Sequence, residues 1–239
     1  GYNDPRLPVY FQPVTEGDNK GEYRGVANGM PNPQQDDYKA MSAPNVQEKS
    51  TDSPLRWMMA SEVAFLRAEG AMRGWTAEMG GTAEEFYNKG IELSFLENGL
   101  SADAAARYAA DETSKPTDFT DVSAANTKYN ISALGKITIK WNAGASEEEQ
   151  LERIITQKWI AMFPNGTEAW SEFRRTGYPL IFPVRSNYPT SGVDTNKQIR
   201  RMVFPQSEYS NNGAAVQEAV KLLGGPDNGG TKLWWDKKN

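Results

Sequence analysis

Glu62 and Glu69 lie seven residues apart in SEVAFLRAEGAMRGW, a spacing that puts both carboxyls on one face of a helix. Two carboxyls flanking a substrate are enough for acid and base work on a glycosidic bond. The same pair has a structural use, as acceptors for loop amides or as partners of arginines such as Arg73. Little other chemistry is open to the chain. It contains no histidine and no cysteine, which removes Ser-His-Asp and Cys-His nucleophiles, HExxH and thiolate metal sites, and disulfides together. The acidic run SEEEQLE suits the positive end of a helix dipole, and GGPDNGG lacks the ligand spacing of a calcium loop and reads as a turn. No metal and no cofactor is expected. A net charge of -5 with a pI near 5.0 leaves no basic stripe to meet phosphates, so nucleic acid is excluded as a partner.

The elements that would position such residues are mostly helices. SPLRWMMASEVAFLRAEGAMRGW predicts one from Pro54 to about Arg73, with Ser53 as N-cap and Met58, Phe65 and Met72 along one stripe. A second begins at Thr82, which pairs with Glu85 as a capping box. Its inner face is read as Phe86, Gly90, Ile91, Ser94 and Phe95, the small residues admitting a neighbouring helix, and Gly99 stops it. Ser101 caps a third over ADAAARYAAD. Ser146 and Glu149 repeat the capping box ahead of Leu151, Ile154, Ile155, Trp159, Met162 and Phe163, and Pro164 ends that helix. KITIKW alternates Ile137, Ile139 and Trp141 against Thr138 and Lys140, the pattern of a short strand. Residues 1–53 are rich in Gly, Pro, Asn and Asp but carry Tyr10, Phe11, Tyr23 and Tyr38, and so read as ordered loops with short strands. With 38% hydrophobic residues the chain can bury a core, and no apolar run is long enough to span a bilayer.

ITQKWIAMFPNGTEAWSEFRRTGYP concentrates aromatic residues around a turn at Asn165–Gly166, with Thr167 read as the next cap and Gly177 and Pro179 as the stop. Across such a hairpin Trp159 and Phe163 are expected to face Trp170 and Phe173 as core. Arg174 and Arg175, which could hold an anion, are expected instead to meet the last helical carbonyls or nearby carboxylates. Trp141 is expected in the core, and Trp234 and Trp235 are expected to dock the C-terminal segment by burial.

This stretch also resembles the C-terminal region of SusD-like proteins, the SusD/RagB superfamily of starch-binding, outer-membrane-associated lipoproteins. DPRLPVYF (Asp4 to Phe11), SEVAFLRAEGAMRGW (Ser61 to Trp75), RRMVFPQSEYSNN (Arg200 to Asn212), LGGPD and TKLWWD match in the same order, so the resemblance spans nearly the whole chain. It implies a mainly α fold with tetratricopeptide-like helix pairs, short β-strands and long loops. Residues 1–239 would then be the C-terminal part of a SusD-like domain, with 1–53 a loop-rich segment and 54–239 the helical body. It also implies a non-catalytic surface protein that binds oligosaccharides and delivers them to a SusC-like TonB-dependent transporter. The family's signal peptide and lipid-bearing cysteine are not in this chain, so outer-membrane anchoring is expected through a lipid in the missing N-terminal part.

Sugars are held by aromatic faces and planar polar side chains, and the segment Gly21–Asn45 supplies both outside the helices. Tyr23, Arg24, Asn28 and Tyr38 are the candidate ligand contacts. Two other readings compete: a glycoside hydrolase working through a Glu/Asp pair such as Glu62 and Glu69, and a helical-repeat scaffold that binds peptides.

Overall fold

A computed structural model describes residues 1–29, 41–45, 56–122, 124–184 and 192–238. The order is α1 (Leu7–Tyr10), α2 (Ala60–Met72), α3 (Thr76–Met79), α4 (Ala83–Glu97), α5 (Ala102–Ala109), a 3-10 turn (Ala124–Tyr129), α6 (Glu147–Ala161), α7 (Gly166–Thr176) and α8 (Gln206–Leu223). Strand pairing among the described residues is confined to two isolated antiparallel bridges, Phe11 with Pro44 and Phe119 with Ile131. No described helix is long and apolar enough to cross a membrane.

The core forms where α2, α4, α5 and α6 meet, around Phe65, Tyr87, Ile91, Phe95, Ile154 and Ile155. The contact of α2 with α4 is the broadest, and Gly90 permits it: a Cβ there would lie 2.6 Å from the Phe65 ring. Both capping boxes form as expected, Thr82 with Glu85 and Ser146 with Glu149, and Ser101 caps α5. Along α4 the buried stripe runs through Tyr87, with Phe86 at its margin under the guanidinium of Arg67, 4.0 Å from the ring centre.

Helix α2 starts six residues later than the sequence predicts. Residues 56–59 are not helical and Met59 is extended, while Pro54 lies outside the described residues with Ser53. The reason is a cap supplied from another helix. The Glu97 carboxylate accepts from Ser61 N at 3.0 Å and Ser61 Oγ at 2.6 Å, and Arg56 donates to Glu97 O at 2.7 Å. Met58 is therefore 68% exposed and takes no part in the stripe.

KITIKW keeps its predicted alternation, with Ile137, Ile139 and Trp141 buried, but joins no ladder. Its carbonyls are taken by side chains: Tyr87 Oη donates to Ile139 O at 2.5 Å and Tyr2 Oη to Ile137 O at 3.3 Å. Trp141 rests 5.2 Å from the Tyr87 ring, in the core.

α6 and α7 touch, yet their aromatic rings do not face one another as predicted. Phe163 packs on Tyr10 at 4.9 Å and Phe11 at 5.0 Å, Trp159 is 39% exposed, and Trp170 lies against Arg174. Asn165, rather than Thr167, caps α7 by accepting from Glu168 N, and Gly177 ends it at φ 77°.

The first residues are part of the core. Arg6 is fully buried, donating to Asp4 through Nε (2.9 Å) and Nη2 (2.7 Å), to Ser94 Oγ (2.9 Å) and to Gln157 Oε1 (2.8 Å). Tyr108 Oη completes the Asp4 carboxylate at 2.7 Å. The DPR tripeptide thereby fastens the loop-rich segment to α4, α5 and α6.

Candidate functional site

Glu62 and Glu69 belong to an ion-pair network between α2, α6 and α7. Lys158, buried on α6, donates to Glu172 at 2.7 Å and Glu168 at 2.9 Å, with Glu62 at 3.8 Å. Arg175 holds both oxygens of Glu69, at 2.7 and 2.6 Å, and also reaches Glu172 at 2.6 Å. Arg73 adds a bond to Glu69 at 2.9 Å. Burial pushes the Glu69 carboxyl up, and the bonds from Arg175 and Arg73 more than offset this, leaving it below its ordinary value. Glu62 is raised, by burial first and then by Glu168 and Glu172, with Lys158 opposing. Both Glu69 oxygens are committed to arginines, which matches the structural use of this carboxylate and the expectation that Arg175 meets carboxylates.

GGPDNGG is a structural turn. Asp227 accepts from Phe204 N, from Tyr209 Oη at 2.7 Å and from Arg201, while Asn228 Oδ1 accepts from Gly230 N and Thr231 N at 3.0 Å each.

The described parts of the predicted ligand segment, 21–29 and 41–45, are non-helical and pinned on two sides. Buried Val14 exchanges bonds with the far limb, Val14 N to Glu22 O and Gly21 N to Val14 O, both 2.8 Å, and the turn needs Gly21 at φ 88°. On the other side Ser42 N donates to Arg24 O at 3.1 Å and Arg24 N to Ser42 Oγ at 2.9 Å. Tyr23 is thereby presented 36% exposed, Arg24 half-buried and Asn28 exposed. Tyr38 lies outside the described residues. Arg24 gives Nε and Nη2 to Glu22, at 2.8 and 2.7 Å, so its charge is matched, and among the described residues no side chain takes its Nη1.

A cleft of about 780 Å³ opens elsewhere, between α4 and α5, with alanines of α5 on one wall and Glu84, Glu92, Asp103, Lys89 and Lys140 among its polar residues. Lys89 is bonded to Glu92 and Lys140 to Glu112. Its one aromatic lining residue, Trp141, is 8% exposed and offers little face for stacking.

Trp234 departs from expectation: it is 83% exposed, while Trp235 is half-buried near Arg174. Consecutive residues of a non-helical segment point different ways, which is the signal in WWD that one of the two rings would face water.

The sequence profile of the SusD-like family, described as Susd and RagB outer membrane lipoprotein, matches residues 1–236. The chain belongs to the SusD-like family. Solved SusD-like structures agree in fold. A chitin-binding SusD homologue from Flavobacterium johnsoniae is 43% identical with a TM-score of 0.90, the match covering 100% of this chain and 47% of that one. A SusD-like protein from Bacteroides thetaiotaomicron is 45% identical at TM-score 0.90, covering 100% and 48%. A SusD homologue from Bacteroides uniformis is 44% identical at 0.88, covering 99% and 47%. The chain thus spans about half the length of these SusD-like relatives. No curated protein matches it.

Proposed function

We propose that this chain is the C-terminal part of a non-catalytic, glycan-binding surface protein, lipid-anchored at the outer membrane through the part of the parent that precedes it. The parent captures oligosaccharides and hands them to a SusC-like TonB-dependent transporter. Family membership together with 43% identity to a chitin-binding homologue carries this reading. Ligand contact is assigned to Tyr23, Arg24, Asn28 and Tyr38. Tyr23 supplies a partly exposed ring for the C–H face of a sugar, and Arg24, its charge matched by Glu22, supplies donors to hydroxyls at little electrostatic cost.

Titration calorimetry with an N-acetylglucosamine trimer tests it. Tyr23→Ala and Arg24→Ala should each weaken binding about tenfold, and unchanged affinity in both would remove the loop from the site. A reducing-sugar assay should show no release dependent on Glu62 or Glu69, and turnover lost in Glu62→Gln or Glu69→Gln would replace binding by hydrolysis.

A further inference from the structure

We infer that the outer face of α2 receives an apolar helix from the part of the parent protein outside residues 1–239, so that α2 lies between two packed layers. The inference rests on the reading above that this chain is part of a longer protein, and adds which surface the remainder covers.

α2 is apolar on two opposite sides. Phe65, Ala68 and Met72 face the core. On the other side Val63 and Leu66, three residues apart, share a second face and are 40% and 44% exposed. The charged residues of the helix sit between these two sides: Glu62 and Glu69 turn to Lys158 and Arg175, and Arg67 to the Phe86 ring. A surface helix carries one apolar stripe with polar residues opposite, whereas a helix apolar on opposite sides belongs between two layers.

The outer face is already used where the chain supplies a neighbour. Gly70, four residues past Leu66 and seven past Val63, lies on the same stripe, and there α3 closes on it: a Cβ at Gly70 would stand 2.8 Å from Met79 Sδ. Towards the start of α2 the stripe is open. It leads to Met58 and to Trp57, which is 92% exposed. These two residues are held at the helix start between Arg56, bonded to Glu97 O at 2.7 Å, and Met59, whose carbonyl accepts from Val63 N. The packing that α3 begins on this face is thus left unfinished over Val63 and Leu66. The parent has the chain to finish it, since matches to two solved SusD-like structures cover 100% of these residues and only 47% and 48% of those chains. A helix is the complement, because a row at i, i+3 and i+7 presents the ridge and groove that a second helix fits.

Two measurements on the intact parent decide the matter. Residues 1–239 contain no cysteine, so Val63→Cys places a single thiol among them. It should react with a maleimide at least about tenfold more slowly than a thiol at Glu218→Cys, a side chain 71% exposed, read peptide by peptide in a mass spectrometer. Photo-leucine, a diazirine isostere of leucine, should link Leu66 to a peptide outside residues 1–239. Equal reaction at the two thiols overturns the inference. So does a Leu66 link that falls within residues 1–239 or in a second copy, or the lack of any link. The photo-leucine arm needs no substitution and decides alone if circular dichroism shows Val63→Cys misfolded. Failure in a larger parent sinks only this face. A native protein whose intact mass is 26.5 kDa, that of residues 1–239, sinks the longer-parent reading along with it.

Discussion

Arg175 and Arg24 are both arginines bonded to glutamates, and their surroundings give them different work. Arg175 ties α7 to α2 through Glu69, beside a lysine that is 1% exposed and shared by Glu62, Glu168 and Glu172. Arg24 pairs with a glutamate two residues away on a loop, with 35% and 53% of the two side chains exposed. The first pair joins distant elements through a carboxylate that is 8% exposed, although Arg175 is itself 38% exposed, so removing the arginine strands a buried Glu69. In the second the carboxylate is 53% exposed, so its removal costs little. Within the segments that carry the family resemblance, Asp4 with Arg6, Glu69, Arg200 and Arg201 are paired inside the fold, so they report fold more than ligand.

The contrast is broken most forcefully at Lys158. Lys158→Met should destabilise by about 3–5 kcal/mol in a urea titration, because three carboxylates lose their cation. A loss below about 1 kcal/mol would mean the network is solvated after all. Next comes Gly90→Ala, whose methyl group meets the Phe65 ring and should cost about 1–3 kcal/mol by the same titration.

Acid sharpens the comparison further. Glu69 titrates below its ordinary value of 4.5, so its stabilisation is complete above that pH and is lost as the pH falls through the lowered value. Glu62 titrates above 4.5, so folding gains as the pH falls through its raised value. Glu69→Gln should therefore remove part of the acid-induced loss of stability, and Glu62→Gln should remove a gain at milder acidity. Unfolding midpoints measured across pH 3–7 (roughly the carboxylate range) read both, and identical profiles in the two variants would contradict the assignment. The smallest stability effect belongs to the loop: Tyr23→Ala should shift stability by no more than about 0.5 kcal/mol while weakening glycan binding.

Local signals were legible in the sequence, and distant ones were not. Thr82 with Glu85 and Ser146 with Glu149 are three residues apart, so each box could be read and each forms. The start of α2 is set by Glu97, 36 positions from Ser61, and no local pattern encodes it. Phe163, expected in the core, is half-buried, and its partners Tyr10 and Phe11 lie at the far end of the chain, out of reach of a hairpin argument. At the candidate site the supply of rings and planar polar groups was legible. The pairing of Arg24 with Glu22 became visible only with coordinates.

Arg6 carries a practical consequence for the opening residues. Four of its contacts lie on Asp4, Ser94 and Gln157, and its guanidinium lies 5.1 Å from the Phe95 ring. A protease that severed the backbone at Gly25 would leave the amino-terminal peptide still gripped by the helices, released only by denaturant. Limited digestion would then give two bands on a denaturing gel and a single peak on a sizing column.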